Sequence, residues 1–280
     1  MNQLPLETRK QIINLLVEGS SLRSASRITG TSINTVSKLL VDVGKACQRF
    51  HNETVINVAS QKVQCDEIWS FVYAKEKNKP QDREEKCGDV WTWTGIDADT
   101  KLVISWLVGD RNAETANVFM QDIADRLKDR VQLTADGFHA YLEAVKGAFG
   151  NDIDFAQLIK IYDFDYQTAR RYTPMGHIGS KKKTITGNPN KKDISTSYIE
   201  RQNLTMRMHM RRFTRLTNAF SKKVENHCYA IALHFVYYNF AKIHTTLRVT
   251  PAMEAKLMDD VMSIEQIVLL TDKYSNLISQ

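Results

Sequence analysis

The spacing of apolar residues changes once along this chain, at about residue 61, and the change separates two kinds of local structure. Before it, apolar residues recur on one side of a helix, namely Ile12, Ile13, Leu16 and Val17. After it, β-branched and aromatic residues alternate with polar ones, which is typical of strands. The chain is therefore predicted to place a small helical part in front of a sheet.

The composition is that of an ordinary globular protein. The 280 residues are 42% apolar and 25% charged, with a net charge of +6, which excludes a disordered chain and a collagen. No apolar run has the roughly 18 residues of a membrane span, and the N-terminus lacks the apolar region of a signal peptide. We therefore expect a cytoplasmic protein without a membrane partner, and the four cysteines, which form no C-x-x-C pair, agree with a reducing compartment.

A helix-turn-helix pattern occupies residues 1–44. Ser26 lets two helices cross closely, Gly30 suits the turn, and Val36 fills the core between the helices. The third helix would present four polar residues to the major groove of DNA, namely Ser32, Asn34, Thr35 and Lys38. Three packed helices that never touch DNA carry the same pattern, so this interpretation has an alternative.

The rest of the chain is predicted to be an α/β domain over 61–255, joined by a linker at 45–60. Its elements read βββαβαβαα with an antiparallel start, which indicates a mixed sheet. Residues 163–194 show no clean period and are predicted to be a basic loop or insertion, which would contact DNA or only aid solubility. A C-terminal tail, 256–280, is expected to be helical, for self-association or for simple packing.

Three carboxylates stand out by position. Asp66 lies within the first strand, Asp136 ends the fourth, and Glu200 lies near the start of a helix. Each alone also fits a plain role, as a strand-edge charge, a turn residue or a solvated helix residue. If the three converge, their oxygens suit Mg²⁺ or Mn²⁺ and could hold two ions about 4 Å apart for phosphodiester chemistry.

A basic run follows Glu200. Between residues 201 and 223 there are seven Lys or Arg and no acidic residue, whereas solvated helix faces usually mix signs. Helical spacing predicts that Arg207 and Arg211 share a face with Glu200, which suits phosphate held beside a metal. We therefore count Arg207 and Arg211 as candidate DNA-binding residues, with a solvated face as the alternative.

Five segments resemble the DDE-type insertion-sequence transposases, most closely the insertion sequence one family. They are CDEIWSFV (65–72), WTWTGIDADT (91–100), TADGFHAY (134–141), YIERQNLTMRMHMRRF (198–213) and YYNFAKIHTTLRVTPAMEA (237–255). The last two are the most specific, and together the likeness spans about residues 5–255.

The resemblance implies an RNase H-like catalytic domain whose acidic triad is Asp66, Asp136 and Glu200, with Arg207 as the basic residue seven positions later. It implies a divalent metal, usually Mg²⁺, and cleavage that frees 3′-hydroxyls and joins them to target DNA. The helix-turn-helix would bind the terminal inverted repeats, and the protein would act as a homo-oligomer on double-stranded DNA. The expected location is then the nucleoid of a prokaryotic cell.

Family members often begin with a Cys-paired zinc segment that this sequence does not contain. End recognition would then depend on the helix-turn-helix alone, or the chain is a shortened version. Glu67, beside Asp66, is expected on the opposite strand face in a structural or supporting role. Two alternatives stay open: a catalytically silent DNA-binding regulator derived from a transposase, and a metal-dependent RNase H-like nuclease.

Overall fold

The computed structural model describes residues 3–81, 87–163, 176–214 and 218–276. Three helices come first: α1 (Leu6–Val17), α2 (Leu22–Thr29) and α3 (Ile33–Thr54). Gly30 adopts φ 66° where α2 ends, a left-handed conformation that glycine takes without strain. Ser21 and Ser32 cap α2 and α3 by accepting hydrogen bonds from backbone N–H groups of the first turns. The predicted helical N-terminal region is thus present.

The third helix is longer than predicted, because residues 45–54 of the expected linker are helical. No proline or glycine interrupts these residues, and the apolar face of α3 continues through Ala46 and Cys47, both buried. His51, one turn further, is also buried, and its Nε2 lies 3.2 Å from the backbone oxygen of Val103. Burial against the sheet domain therefore extends the helix past the point where the sequence pattern weakens.

A six-stranded mixed sheet forms the centre of the molecule. Its strands are β1 (Lys62–Val72), β2 (Gly88–Asp97), β3 (Val103–Gly109), β4 (Gln132–Asp136), β5 (Asp154–Asp163) and β6 (Gly176–Thr186). They lie in the order β3-β2-β1-β4-β5-β6. Strand β4 is parallel to both β1 and β5, and the other pairs are antiparallel. This is the predicted RNase H-like mixed sheet.

One strand was missed. Residues 163–194 were predicted to be an irregular insertion, but β6 lies within them and pairs antiparallel with β5. The lysines at 181–183 obscure the alternation in the sequence, and they stay exposed because β6 is an edge strand. Lysines on an edge also discourage pairing with another chain. The observed order is therefore βββαβαββ followed by helices, and residues 164–175 lie outside the described residues.

Helices cover both faces of the sheet: α4 (Ala113–Arg126), α5 (Ala140–Phe149), α6 (Ser197–His209) and α7 (Val224–Val236). Successive residues of β1 point to opposite faces. Gln64 accepts hydrogen bonds from the first turn of α6, and Ser70 contacts His227 of α7. Glu67 points to the other face of β1 and accepts a hydrogen bond from the Tyr141 hydroxyl of α5. The α6 and α7 helices thus lie on one face, and α5 on the other.

Within the predicted C-terminal tail, 256–280, the helix extends over Ile264–Asn276 and packs within the chain. After a short helix α8 (Pro251–Glu254), helix α9 (Ile264–Asn276) lies against α1 and α3. Ile267 and Val268 are fully buried, and Asp272 forms an ion pair with Arg9 of α1 at 3.1 Å. Within the part of the chain that the structure describes, no helix is long and apolar enough to cross a bilayer.

The close approach of α3 and α7 depends on Gly44. A Cβ atom at this position would lie 2.3 Å from the Tyr229 Cβ and 2.7 Å from its Cα, on the backbone of the facing helix. We expect Gly44→Ala to lower the free energy of unfolding by about 2 kcal/mol, since overpacking outweighs the gain in helix propensity. Urea denaturation checks this value.

The matched control is Gly147→Ala in α5, where no atom lies within 4 Å of the new Cβ. Because only helix propensity changes there, this variant should be as stable as the parent or more stable by about 0.5–1 kcal/mol. Equal stability of the two variants would contradict a tight helix contact at Gly44.

Candidate functional site

Two of the predicted carboxylates are neighbours where the parallel pairing between β1 and β4 ends. The last registered pair between β1 and β4 is Cys65 with Ala135, and Asp66 and Asp136 directly follow it. Asp136 then turns the chain, because its Oδ1 accepts a hydrogen bond from the Phe138 N–H at 2.9 Å. The parallel pairing therefore fixes the two carboxylates side by side on the two central strands of the sheet.

A third carboxylate, Glu67, joins them. Ligand oxygens of Asp66, Glu67 and Asp136 all lie within 4.8 Å of one another. Glu67 does belong to the opposite face of β1, since Tyr141 Oη donates to its Oε2 at 2.9 Å. Arg111 Nε donates to its other oxygen at 2.6 Å. The role predicted for Glu67 was structural or supporting, and its place within the cluster was not predicted.

Glu200 lies in the same cleft, which has a volume of about 490 Å³ and is also lined by Asp66 and Asp136. Its carboxylate accepts a hydrogen bond from Thr196 Oγ1 and forms an ion pair with Lys160 Nζ at 2.7 Å. It is not part of the group whose ligand oxygens lie within 4.8 Å. The structure thus brings the three predicted carboxylates into one cleft and pairs Glu200 with a lysine.

The α6 helix reaches the cluster through an amide. Asn203 Nδ2 donates to Asp66 Oδ2 at 2.8 Å, and the rest of this asparagine is buried. Asn203 lies three residues after Glu200, so both occupy one face of α6. No role was predicted for Asn203, although its spacing of three residues from Glu200 in the segment YIERQN was the signal that could have identified it.

The electrostatics of the cluster favour a bound cation. Burial raises the pKa of Asp66 to about 7, and the nearby charges of Glu67 and Asp136 add to the shift. Burial and Asp136 also raise the pKa of Glu67, while Arg111 opposes them. Hard oxygen donors that are close, partly buried and mutually repulsive are the donor set that Mg²⁺ or Mn²⁺ takes. These residues therefore fit a divalent ion.

The four helix-turn-helix residues differ in their surroundings. Asn34 and Lys38 are exposed, although Lys38 pairs with Asp42 at 2.6 Å within α3. The Ser32 hydroxyl caps α3 and lies 2.9 Å from the hydroxyl of Thr35. Ser32 and Thr35 therefore hold the start of the helix in this structure, and contact of all four with DNA stays a prediction.

Arg207 and Arg211 do not share one helix face. The prediction that both lie on the helix face of Glu200 is therefore wrong for Arg211. Arg207 lies in α6, but the helix ends at His209 and a 3₁₀ turn carries Arg211. Phe213 ends that turn and is only 2% exposed, so its burial draws the chain away from the helix axis. Arg215 of the same basic run lies outside the described residues.

The raised pKa of Asp66 predicts how stability changes with pH in the metal-free protein. The pKa of Asp66 is 3.8 in the unfolded chain and about 7 in the folded protein, so the folded state binds the proton more tightly. This proton stabilises the folded state fully below pH 3.8, and the contribution is lost as the pH rises towards about 7. Asp66→Asn removes the dependence. In EDTA at about pH 8, the variant should unfold at a higher urea concentration than the parent. Its free energy of unfolding should be larger by a few kcal/mol at most.

At about pH 3 the two proteins should differ little, because Asp66 is then largely protonated in both the folded and the unfolded state. Added Mn²⁺ should stabilise the parent more than the variant. A parent that stays the more stable protein in EDTA at high pH would show that Asp66 is not under this repulsion.

The comparisons with known proteins agree with the resemblance read from the sequence. Residues 167–241 match the family model described as IS1 transposase, a minor part of the chain that includes Glu200 and Asn203. Asp66 and Asp136 lie before the matched segment. Among curated proteins, no sequence matches this chain.

Two solved structures show remote likeness. A Mos1 strand transfer complex is 13% identical with a TM-score of 0.25, and the alignment covers 55% of this chain and 59% of the Mos1 chain. A piggyBac transposase synaptic complex with hairpin DNA is 10% identical with a TM-score of 0.40, covering 98% of this chain and 72% of the other. At such scores the likenesses carry no argument of their own. The chain is thus similar to the IS1 transposases through its matched segment, as the sequence resemblance indicated.

Proposed function

We propose that this protein is a transposase that cleaves DNA at the inverted-repeat ends of an insertion sequence and joins the freed ends to target DNA. The observation that carries the proposal is the convergence of carboxylates: Asp66, Glu67 and Asp136 within 4.8 Å, with Glu200 in the same cleft. The IS1 match over the helix that bears Glu200 supports it independently.

The proposed metal ligands are Asp66, Asp136 and Glu200, for two ions that would be Mg²⁺ or Mn²⁺. Bound there, the ions would activate the attacking oxygen and stabilise the leaving oxygen of a phosphodiester. Glu67 is a fourth carboxylate within reach of the same position. Glu200 could serve as a ligand through Oε2, since its contacts with Lys160 and Thr196 both use Oε1.

The chain's own residues would hold this site in shape. Asn203 orients Asp66 through one hydrogen bond, and Tyr141 and Arg111 together orient Glu67. Arg111 also lies 3.8 Å from Asp136, so it offsets the negative charge before a substrate arrives. These contacts come from α5, α6 and the loop before α4, so three parts of the fold fix the carboxylates.

The proposed reaction has two phosphoryl transfers. In the first, a water oxygen bonds to the phosphorus while the bond to the 3′-oxygen breaks, and that oxygen leaves as a hydroxyl. In the second, this 3′-hydroxyl attacks a target phosphodiester, so one P–O bond forms as another breaks. The helix-turn-helix would hold the element end, and a homo-oligomer would hold two ends together.

The test uses the purified protein and a labelled duplex that carries the element's end, taken from the DNA beside the gene. With Mg²⁺ or Mn²⁺ we expect a nick at the end and joined products. Asp136→Asn should reduce both at least about a hundredfold, since loss of even a supporting partner of a metal site costs about 10–100-fold. Asp259→Asn, an exposed aspartate outside the cleft, is the matched control and should act as the parent does.

Two other outcomes would each support a different function for this protein. Tight, end-specific binding without cleavage in either metal would identify a silent DNA-binding regulator and overturn the catalytic proposal. Cleavage with no preference for the end and no joining would identify a nuclease.

A further inference from the structure

A second cleft, of about 710 Å³, lies between the N-terminal helices and the region that joins α6 to α7. One wall comes from the turn before α2 and from the start of α3, and the other from residues 209–212 and 218–223 with the face of α7. None of the residues that line it lines the acidic cleft. It is therefore a separate feature, built jointly by the helix-turn-helix and the sheet domain.

The described residues that line this cleft include no aspartate or glutamate. They do include five cationic side chains, namely Arg23, Arg211, Arg212, Lys222 and Lys223. Arg23 belongs to α2, whereas the other four follow α6, so both walls are positive. Charge of one sign on facing walls concentrates an oppositely charged ligand between them.

Three helices begin at this cleft. Helix α2 begins at Leu22 and α3 begins at Ile33, and both residues line the cleft. Helix α7 begins directly after its N-cap residue Lys223, which also lines the cleft. The first turn of each helix leaves backbone N–H groups without partners inside the helix, and the helix dipole is positive at that end. Converging N-termini are suited to phosphate groups.

Two side chains of the lining point to an anion, the half-buried Arg212 and a buried histidine. Arg212 donates from Nη1 to Ser221 Oγ at 2.8 Å and to the Asn226 backbone oxygen at 3.0 Å, both neutral acceptors. Burial lowers its pKa to about 10, so it stays charged at neutral pH. A desolvated cation beside neutral partners is costly unless a counter-charge is bound.

His234 is the second of these side chains. It is only 5% exposed and lines the cleft, and within the described residues its Nε2 has no hydrogen-bond partner. Buried polar atoms are normally paired. A ligand oxygen in the cleft would supply the missing partner.

We infer that this cleft binds the phosphate backbone of the DNA that the helix-turn-helix holds, so that one strand lies between the two parts of the protein. The inference rests on the proposed function, which supplies DNA as the ligand. Asn34, predicted to face the major groove, also lines the cleft, so a duplex read by the start of α3 would bring its backbone here.

The test measures binding of the element-end duplex by fluorescence anisotropy over a range of salt concentrations. Arg23→Gln with Lys222→Gln removes one exposed charge from each wall. The plot of log K against log salt should flatten by about 1.8, and binding at about 0.1 M salt should weaken roughly 10–100-fold. Lys128→Gln with Lys146→Gln, two exposed lysines outside the cleft, removes the same charge and should leave the slope nearly unchanged.

The outcomes separate this inference from the proposed function. If the parent binds the end duplex and the cleft variant keeps its slope, the inference is wrong and the transposase proposal stands. Equal weakening in the lysine control would also overturn it. If the parent binds no DNA at low salt, both fail. A last outcome is that inorganic phosphate raises the Tm of the parent but not of the cleft variant, while both proteins show the same slope of log K against log salt for DNA. In that case the cleft binds free anions and not DNA.

Discussion

The parallel pairing of β1 with β4 is the contact on which the rest of this structure depends. Parallel strands need a long crossover, and here β2, β3 and α4 supply it between Val72 and Gln132. The pairing stops at Cys65 and Ala135, so the next residue of each strand is released from the ladder at the same level. An aspartate follows on both strands. The sheet thus places two residues that are 70 positions apart in the sequence next to each other.

Much of this arrangement could be predicted from the sequence, because it depends on periodicity and position. The change of period at about residue 61 located the start of the sheet, and Gly30 with Val36 located the turn between α2 and α3. The two aspartates were found because a charge inside or at the end of an apolar strand needs a reason. Local patterns of this kind survive folding because burial and backbone geometry both enforce them.

The parts that could not be predicted depend on contacts across the fold. Strand β6 was hidden by its lysines, which are acceptable only because the strand lies at an edge. Glu67 was assigned to the opposite face correctly, yet its carboxylate reaches the cluster because no β4 residue is paired beside it. The end of α6 at His209 is decided by the burial of Phe213. A single sequence does not reveal where a neighbouring strand or helix stops.

The packing of α9 on α1 and α3 has a consequence for how this protein is made. A ribosome releases the helix-turn-helix first, but the apolar surface that Ile267 and Val268 cover emerges last. Until then the N-terminal helices lack one of their packing partners, and Arg9 lacks Asp272. The longest contacts in the chain therefore close last, since such distant segments meet slowly. The bundle that α9 forms with α1 and α3 is therefore completed only after synthesis has passed residue 276, whereas the six described strands all end by Thr186.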